Sequence, residues 1–86
     1  MLESYVGQLV VLDLEADYLV FGRLERVDEH FLLLADADLH DHGEANATKE
    51  VYALETKQFG VRANRSRVAV PRARLLAISL LDDVTA

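Results

Sequence analysis

The sequence predicts a mostly β protein: a small, strongly bent, five-stranded antiparallel barrel of SH3-like size with one inserted helix. Three observations predict it. Five apolar segments of strand length are separated by short polar turns. Gly22 interrupts one of them, and glycine inside a strand marks a bend or bulge of the kind that curls a small sheet. Only Thr48 to Phe59 carries helix start and stop signals. Five short curved strands in 86 residues match the size of an SH3-like or OB-like barrel.

Taken in order, Met1 to Val6 is too short for a stable helix and is expected to form one docked turn, with Leu2 and Tyr5 or Val6 inward. Gln8 to Glu15 alternates. Val10, Leu12 and Leu14 share one face, and Leu9, Val11, Asp13 and Glu15 the other. Glu15 to Asp17 reads as a turn, Tyr18 to Arg26 as the second strand, and Asp28, Glu29 and His30 as a polar corner. Phe31 to Ala35 is an unbroken apolar run, the pattern of a strand buried on both faces. Periodicity alone also fits a piece of buried helix; Gly22 and the acidic corner favour the strand.

Asp36 to Ala47 is acidic and aperiodic and reads as a loop. The helix at Thr48 to Phe59 has Asn46 or Thr48 as N-cap, Gly60 just past its end, and an apolar side of Val51, Leu54 and Phe59 with Tyr52 nearby. Val61 to Ser66 reads as a linker and Arg67 to Val70 as a short strand. Pro71 to Arg74 is a turn, Leu75 to Leu81 a strand buried by composition, and Asp82 to Ala86 a polar tail. The chain is one domain, residues 1–86, with an insertion at 38–62.

A chain this short buries about 60–65% of its unfolded surface, so its stability margin is thin. It has no cysteine, which excludes disulfides and thiolate metal sites and leaves association as the expected reinforcement. The net charge of −6 argues against general nucleic-acid binding. Yet Arg62, Arg65, Arg67, Arg72 and Arg74 lie close together, with no acid between Gln58 and Leu81. Such a segment either faces an anion or pairs with acids of the fold or of a neighbouring subunit.

The start of the chain carries Glu3 and no basic run, and the longest apolar run is far below the ~18 residues of a membrane helix. The expectation is a soluble, cytoplasmic protein with no membrane partner. No glycine-rich phosphate loop is present, and no motif places Ser4, Ser66 or Ser79 beside a histidine. No enzymatic activity, small-molecule substrate or cofactor is therefore expected. Asp36, Asp38, His40, Asp41, His42 and Glu44 read as a solvated acidic loop, not a metal centre, because the two histidines lack the spacing of a structural zinc site.

The spacing of the first two strands resembles the Sm and Sm-like (LSm/Hfq) family. Gly7 is followed by apolar Val10, Leu12 and Leu14; Gly22 comes eight residues after Leu14, then Leu24 and Asp28, then an apolar strand. Val68 to Val70, the turn Pro71 to Arg74 and Leu75 to Ile78 fit the length of the family's second motif. Residues 38–62 fall in its variable loop, and its N-terminal helix is nearly absent.

The resemblance implies homo-oligomeric rings, joined here through edge strands four and five, that bind single-stranded RNA at the corner after the second strand and the turn between the last two. Carried over, the nucleic-acid-binding residues are Asp28, His30, Phe31, Arg72 and Arg74. His30 holds the base-stacking position and Phe31 the usual Met position. Arg72 and Arg74 are candidates for phosphate contact or guanidinium stacking. Leu32 stands where the family has a base-reading Asn, and Pro71-Arg72 where it has Arg-Gly. From the residues themselves, His30 is either a base platform or a loop histidine bonded near Asp28. Arg72 and Arg74 are either contacts or a solvated turn, and Asp28 is more simply a residue that orders the corner. The rival reading is an Sm-like interaction or scaffold module without RNA; a third is another small SH3-like or PRC-like barrel.

Overall fold

The computed structural model describes residues 1–44 and 48–85. Five strands, β1 (Leu9–Leu14), β2 (Tyr18–Val27), β3 (Phe31–Asp41), β4 (Arg65–Pro71) and β5 (Leu75–Leu80), form one antiparallel sheet in the order β4-β3-β2-β1-β5. The single α-helix among the described residues, α1 (Lys49–Phe59), lies between β3 and β4 in sequence. Three-residue 3-10 turns follow β3, β4 and β5.

The inward face of the bent sheet is the main core. Val10, Leu12 and Leu14 of β1, Val20 and Leu24 of β2, Leu32, Leu34 and Ala37 of β3 and Val70 of β4 are buried together. Leu2 and Tyr5, in the 3-10 turn Leu2–Tyr5, pack against them, whereas Val6 is exposed. The bend comes from slips in the β2–β3 ladder, one spanning Gly22 and one spanning Glu25. Gly22 lets the strands approach closely there: a Cβ would lie 3.0 Å from the Ala35 carbonyl oxygen and 3.2 Å from the Ala37 Cα, so a side chain would press β3 outward by a few tenths of an ångström.

The loop expected from Asp36 is strand as far as Asp41. Asp36 adopts φ 49, a left-handed residue that inserts one step into the strand. Before it, Leu32 and Leu34 point inward; after it, Ala37 and Leu39 do. That phase change erases the period from which a strand is read. Asn46, one of the two candidate caps, lies outside the described residues. Thr48 caps α1, its Oγ1 accepting the Val51 N–H at 3.2 Å. Gly60 ends it at φ 95, its N–H donating to the Thr56 carbonyl at 2.8 Å.

The helix does not dock through Val51 and Phe59, which are exposed, the latter to 76%. It docks through Ala53 and Thr56, whose small side chains let it approach the sheet, and through Tyr52. A second core results on the outer face of β1 and β2: Val11, Leu19, Phe21, Ala53 and Leu81, with Tyr52, Val61 and Val84 against it. Each large side chain so buried contributes about 1.5–3 kcal/mol. The C-terminal segment is therefore more than a polar tail. Leu81 is buried in the 3-10 turn Leu81–Asp83, and Lys57 Nζ donates to the Val84 carbonyl at 2.8 Å.

Two further expectations of burial fail because α1 covers only part of the outer face. Phe31 is 45% exposed and Leu33 half-buried. Among the described residues β5 pairs with β1 alone, and Leu76 is 66% exposed. Among the described residues no helix is long and apolar enough to cross a membrane.

Candidate functional site

The corner between β2 and β3 is built by Asp28. Its Oδ1 accepts the backbone N–H of His30 and of Phe31, both at 2.8 Å, and its own N–H donates to the Phe31 carbonyl at 3.0 Å. The Phe31 and then the His30 N–H hold the Asp28 carboxyl below the usual carboxylate range. The fastening to His30 thus uses its backbone, and the imidazole stays exposed, its nearest carboxylate Glu29 at 4.0 Å.

The turn after β4 is locked onto this corner. Phe31 faces Pro71 at the end of the β3–β4 ladder. The Arg72 N–H donates to the His30 carbonyl at 2.8 Å, and Arg72 Nη1 to the Asp28 carbonyl at 2.7 Å. Four of the five expected site residues, Asp28, His30, Phe31 and Arg72, therefore meet at one end of the barrel. An exposed imidazole and an exposed phenyl ring stand beside a guanidinium fixed by the backbone.

Arg74 goes elsewhere. Its Nη1 donates to Glu15 Oε2 at 3.2 Å, and its carbonyl accepts the Glu15 N–H at 3.1 Å. It fastens the β1–β2 turn, where Ala16 and Asp17 have φ 59 and 63, the paired left-handed residues of a tight hairpin. A groove of about 240 Å³ lies between that turn and Pro71, lined by Leu14, Glu15, Ala16, Tyr18, Pro71 and Arg74. Tyr18 did not stand out from sequence; its only signal was an aromatic residue directly after the Glu15–Asp17 turn. Leu32, at the position of the family's base-reading residue, is fully buried in the core.

The residues read as a solvated acidic loop are in part a packed network. Asp38 is buried, accepting from Tyr52 Oη at 2.6 Å and from Asn64 Nδ2 at 3.1 Å. The His40 ring stacks on Tyr52 with centroids 3.7 Å apart and planes 8° from parallel. His40 Nε2 and His42 Nδ1 are 3.1 Å apart, and the Arg62 guanidinium carbon is 5.1 Å from the centroid of the Tyr52 ring. Burial, and then the bond to Asp38, push the Tyr52 hydroxyl up to about 12. This network fastens α1 to β3. Among the described residues no group of three His, Asp or Glu side chains is placed to hold a metal ion. The arginines divide likewise: Arg67 pairs with Glu25 at 2.9 Å and Arg74 with Glu15.

No protein-family model matches the sequence, and no curated protein does. Solved structures do. An Sm protein of Pyrococcus abyssii in complex with a uridine heptamer is 23% identical, with TM-score 0.62, over 91% of this chain and 89% of that one. A chain of the NatC complex bound to Gag peptide and CoA is 22% identical, with TM-score 0.60, over 93% and 90%. A chain of the NatC complex bound to CoA is 22% identical, with TM-score 0.61, over 99% and 95%. The class is thus a small bent antiparallel barrel closed at one end by fastened turns. More narrowly, the fold is Sm-like and divergent in sequence.

Proposed function

We propose that this chain is an Sm-like binding protein, not an enzyme, that forms a homo-oligomeric ring and holds single-stranded RNA in a divergent manner at the Asp28–Phe31 corner. The observation that carries the RNA reading is the Arg72 clamp, which holds a guanidinium beside the exposed rings of His30 and Phe31. Flat rings stack on unpaired bases, and arginine meets phosphate or stacks in turn. Asp28 shapes the corner, His30 and Phe31 offer the platforms, and Arg72 takes the backbone. The uridine heptamer held by the similar Pyrococcus protein supports this ligand class.

The ring reading rests on the edges. β4 and β5 each have one neighbour in the sheet, and an unpaired edge is satisfied by the edge of another copy. Association also offsets the thin margin of a small domain. Light scattering should give the mass of several chains, and a monomer would overturn the ring. Uridine and adenosine heptamers should bind more weakly as salt rises, because phosphate contacts release counterions. No binding at low salt, or a salt slope near zero, removes the RNA reading.

A protein-interaction module without RNA is the second reading. It is favoured by Leu32, which occupies the base-reading position and is buried in the core, and by the net charge of −6. The likeness to chains of the NatC complex supports it as well. It predicts an assembly that binds neither heptamer.

A further inference from the structure

The groove beside the corner is a separate recess with its own chemistry. Leu14, Ala16, Tyr18 and Pro71 make its walls apolar, and the Glu15–Arg74 pair forms its polar rim. It adjoins the corner through Pro71, which faces Phe31 across the last rung of the β3–β4 ladder and precedes Arg72 in the chain. Tyr18 is partly exposed, and among the described residues its hydroxyl makes no hydrogen bond, so the ring is not tied into the fold by its polar end. Arg74 gives Glu15 one of its five N–H donors. The rim therefore presents donors next to a carboxylate acceptor, the combination that the edge of a heterocyclic base, with its own donors and acceptors, can meet.

We infer that this groove is a second base-binding pocket. It takes one nucleobase of the strand that crosses His30, flat against Tyr18 and Pro71, with its edge toward Arg74 and Glu15. The inference rests on the RNA reading above. It divides the basic turn into two functions: Arg72 serves the corner and Arg74 the groove. It also assigns Tyr18 a role as a stacking residue, which needs the aromatic ring and not the hydroxyl.

The test is binding of a uridine heptamer and an adenosine heptamer to wild type, Tyr18→Leu, Tyr18→Phe and His30→Ala. Tyr18→Leu keeps apolar volume and loses the aromatic face. It should bind roughly 5- to 150-fold more weakly, the range expected for losing one base–aromatic stack, whereas Tyr18→Phe should bind like wild type. Should Tyr18→Leu not fold, the ring resonances of Tyr18 in the wild type, followed as heptamer is added, decide the matter: they should shift on binding. If Tyr18→Leu binds like wild type, or the Tyr18 ring does not respond, while His30→Ala is weakened, the groove proposal is wrong and the corner reading stands. If wild type binds neither heptamer, the corner reading fails and the groove falls with it.

Discussion

At the Asp28 corner, backbone groups do most of the fastening; around Tyr52, side chains do it. The corner is closed by N–H groups of His30, Phe31 and Arg72, with Asp28 and the Arg72 guanidinium as the side-chain participants. The rings of His30 and Phe31 are left over and exposed. Around Tyr52, the hydroxyl is taken by Asp38, one ring is stacked on His40, and Arg62 stands near by. Both regions are rich in aromatic, histidine and arginine side chains. The difference shows that such residues mark a candidate site only where the fold does not already use them.

The sharpest way to break this comparison is to remove the packing beneath Tyr52. Phe21 is fully buried, and its ring centroid is 5.5 Å from that of Tyr52. Phe21→Ala should cost about 3–5 kcal/mol in urea unfolding and loosen α1, seen as faster amide exchange from Lys49 to Phe59. Tyr52→Phe comes next. It deprives the buried Asp38 of its hydroxyl donor and should cost about 1–3 kcal/mol, leaving heptamer affinity unchanged. Its raised hydroxyl adds a signature at high pH. A group whose folded value lies above its unfolded value of 10.0 contributes stability below pH 10 that is lost as pH climbs toward about 12. Wild type should therefore lose stability over that window more steeply than Tyr52→Phe.

Changes at the corner should have smaller effects on folding and larger ones on binding. Arg72→Gln removes an exposed bond to the Asp28 carbonyl and should cost about 0.5–1.5 kcal/mol, while lowering the salt slope of heptamer binding by about one. Asp28→Asn should have the least effect. The Asp28 carboxyl is held below its ordinary range, so it adds stability above that range which disappears as pH falls through its folded value. The acid limb of a stability-against-pH curve should be shallower in Asp28→Asn than in wild type.

What was legible in the sequence follows the same division. The inner core could be read because β1 alternates cleanly and Gly22 announces the bend. The far half of β3 could not, because the left-handed Asp36 shifts the phase by one residue. The outer core was hidden because Val11 and Phe21 occupy positions that point away from the barrel, and the helix that covers them docks through Ala53 and Thr56, not through its larger apolar residues. β5 has the composition of a buried strand but the position of an edge. At the site, the meeting of Asp28, His30, Phe31 and Arg72 was implied by the resemblance to the Sm-like family, which joins the corner after the second strand to the turn between the last two; spacing alone placed them only on two separate turns. The departure of Arg74 did not: residues two apart in the 3-10 turn Arg72–Arg74 reach different neighbouring turns, a geometry with no sequence period.

The measurement that bears most directly on the corner is the affinity of His30→Ala for the uridine heptamer, taken with its melting temperature. The His30 side chain is exposed and its fastening is through the backbone, so the melting temperature should match wild type while affinity falls roughly 5- to 150-fold. An affinity equal to wild type, or a loss of affinity that only follows a loss of stability, would contradict the assignment of the corner as the binding site.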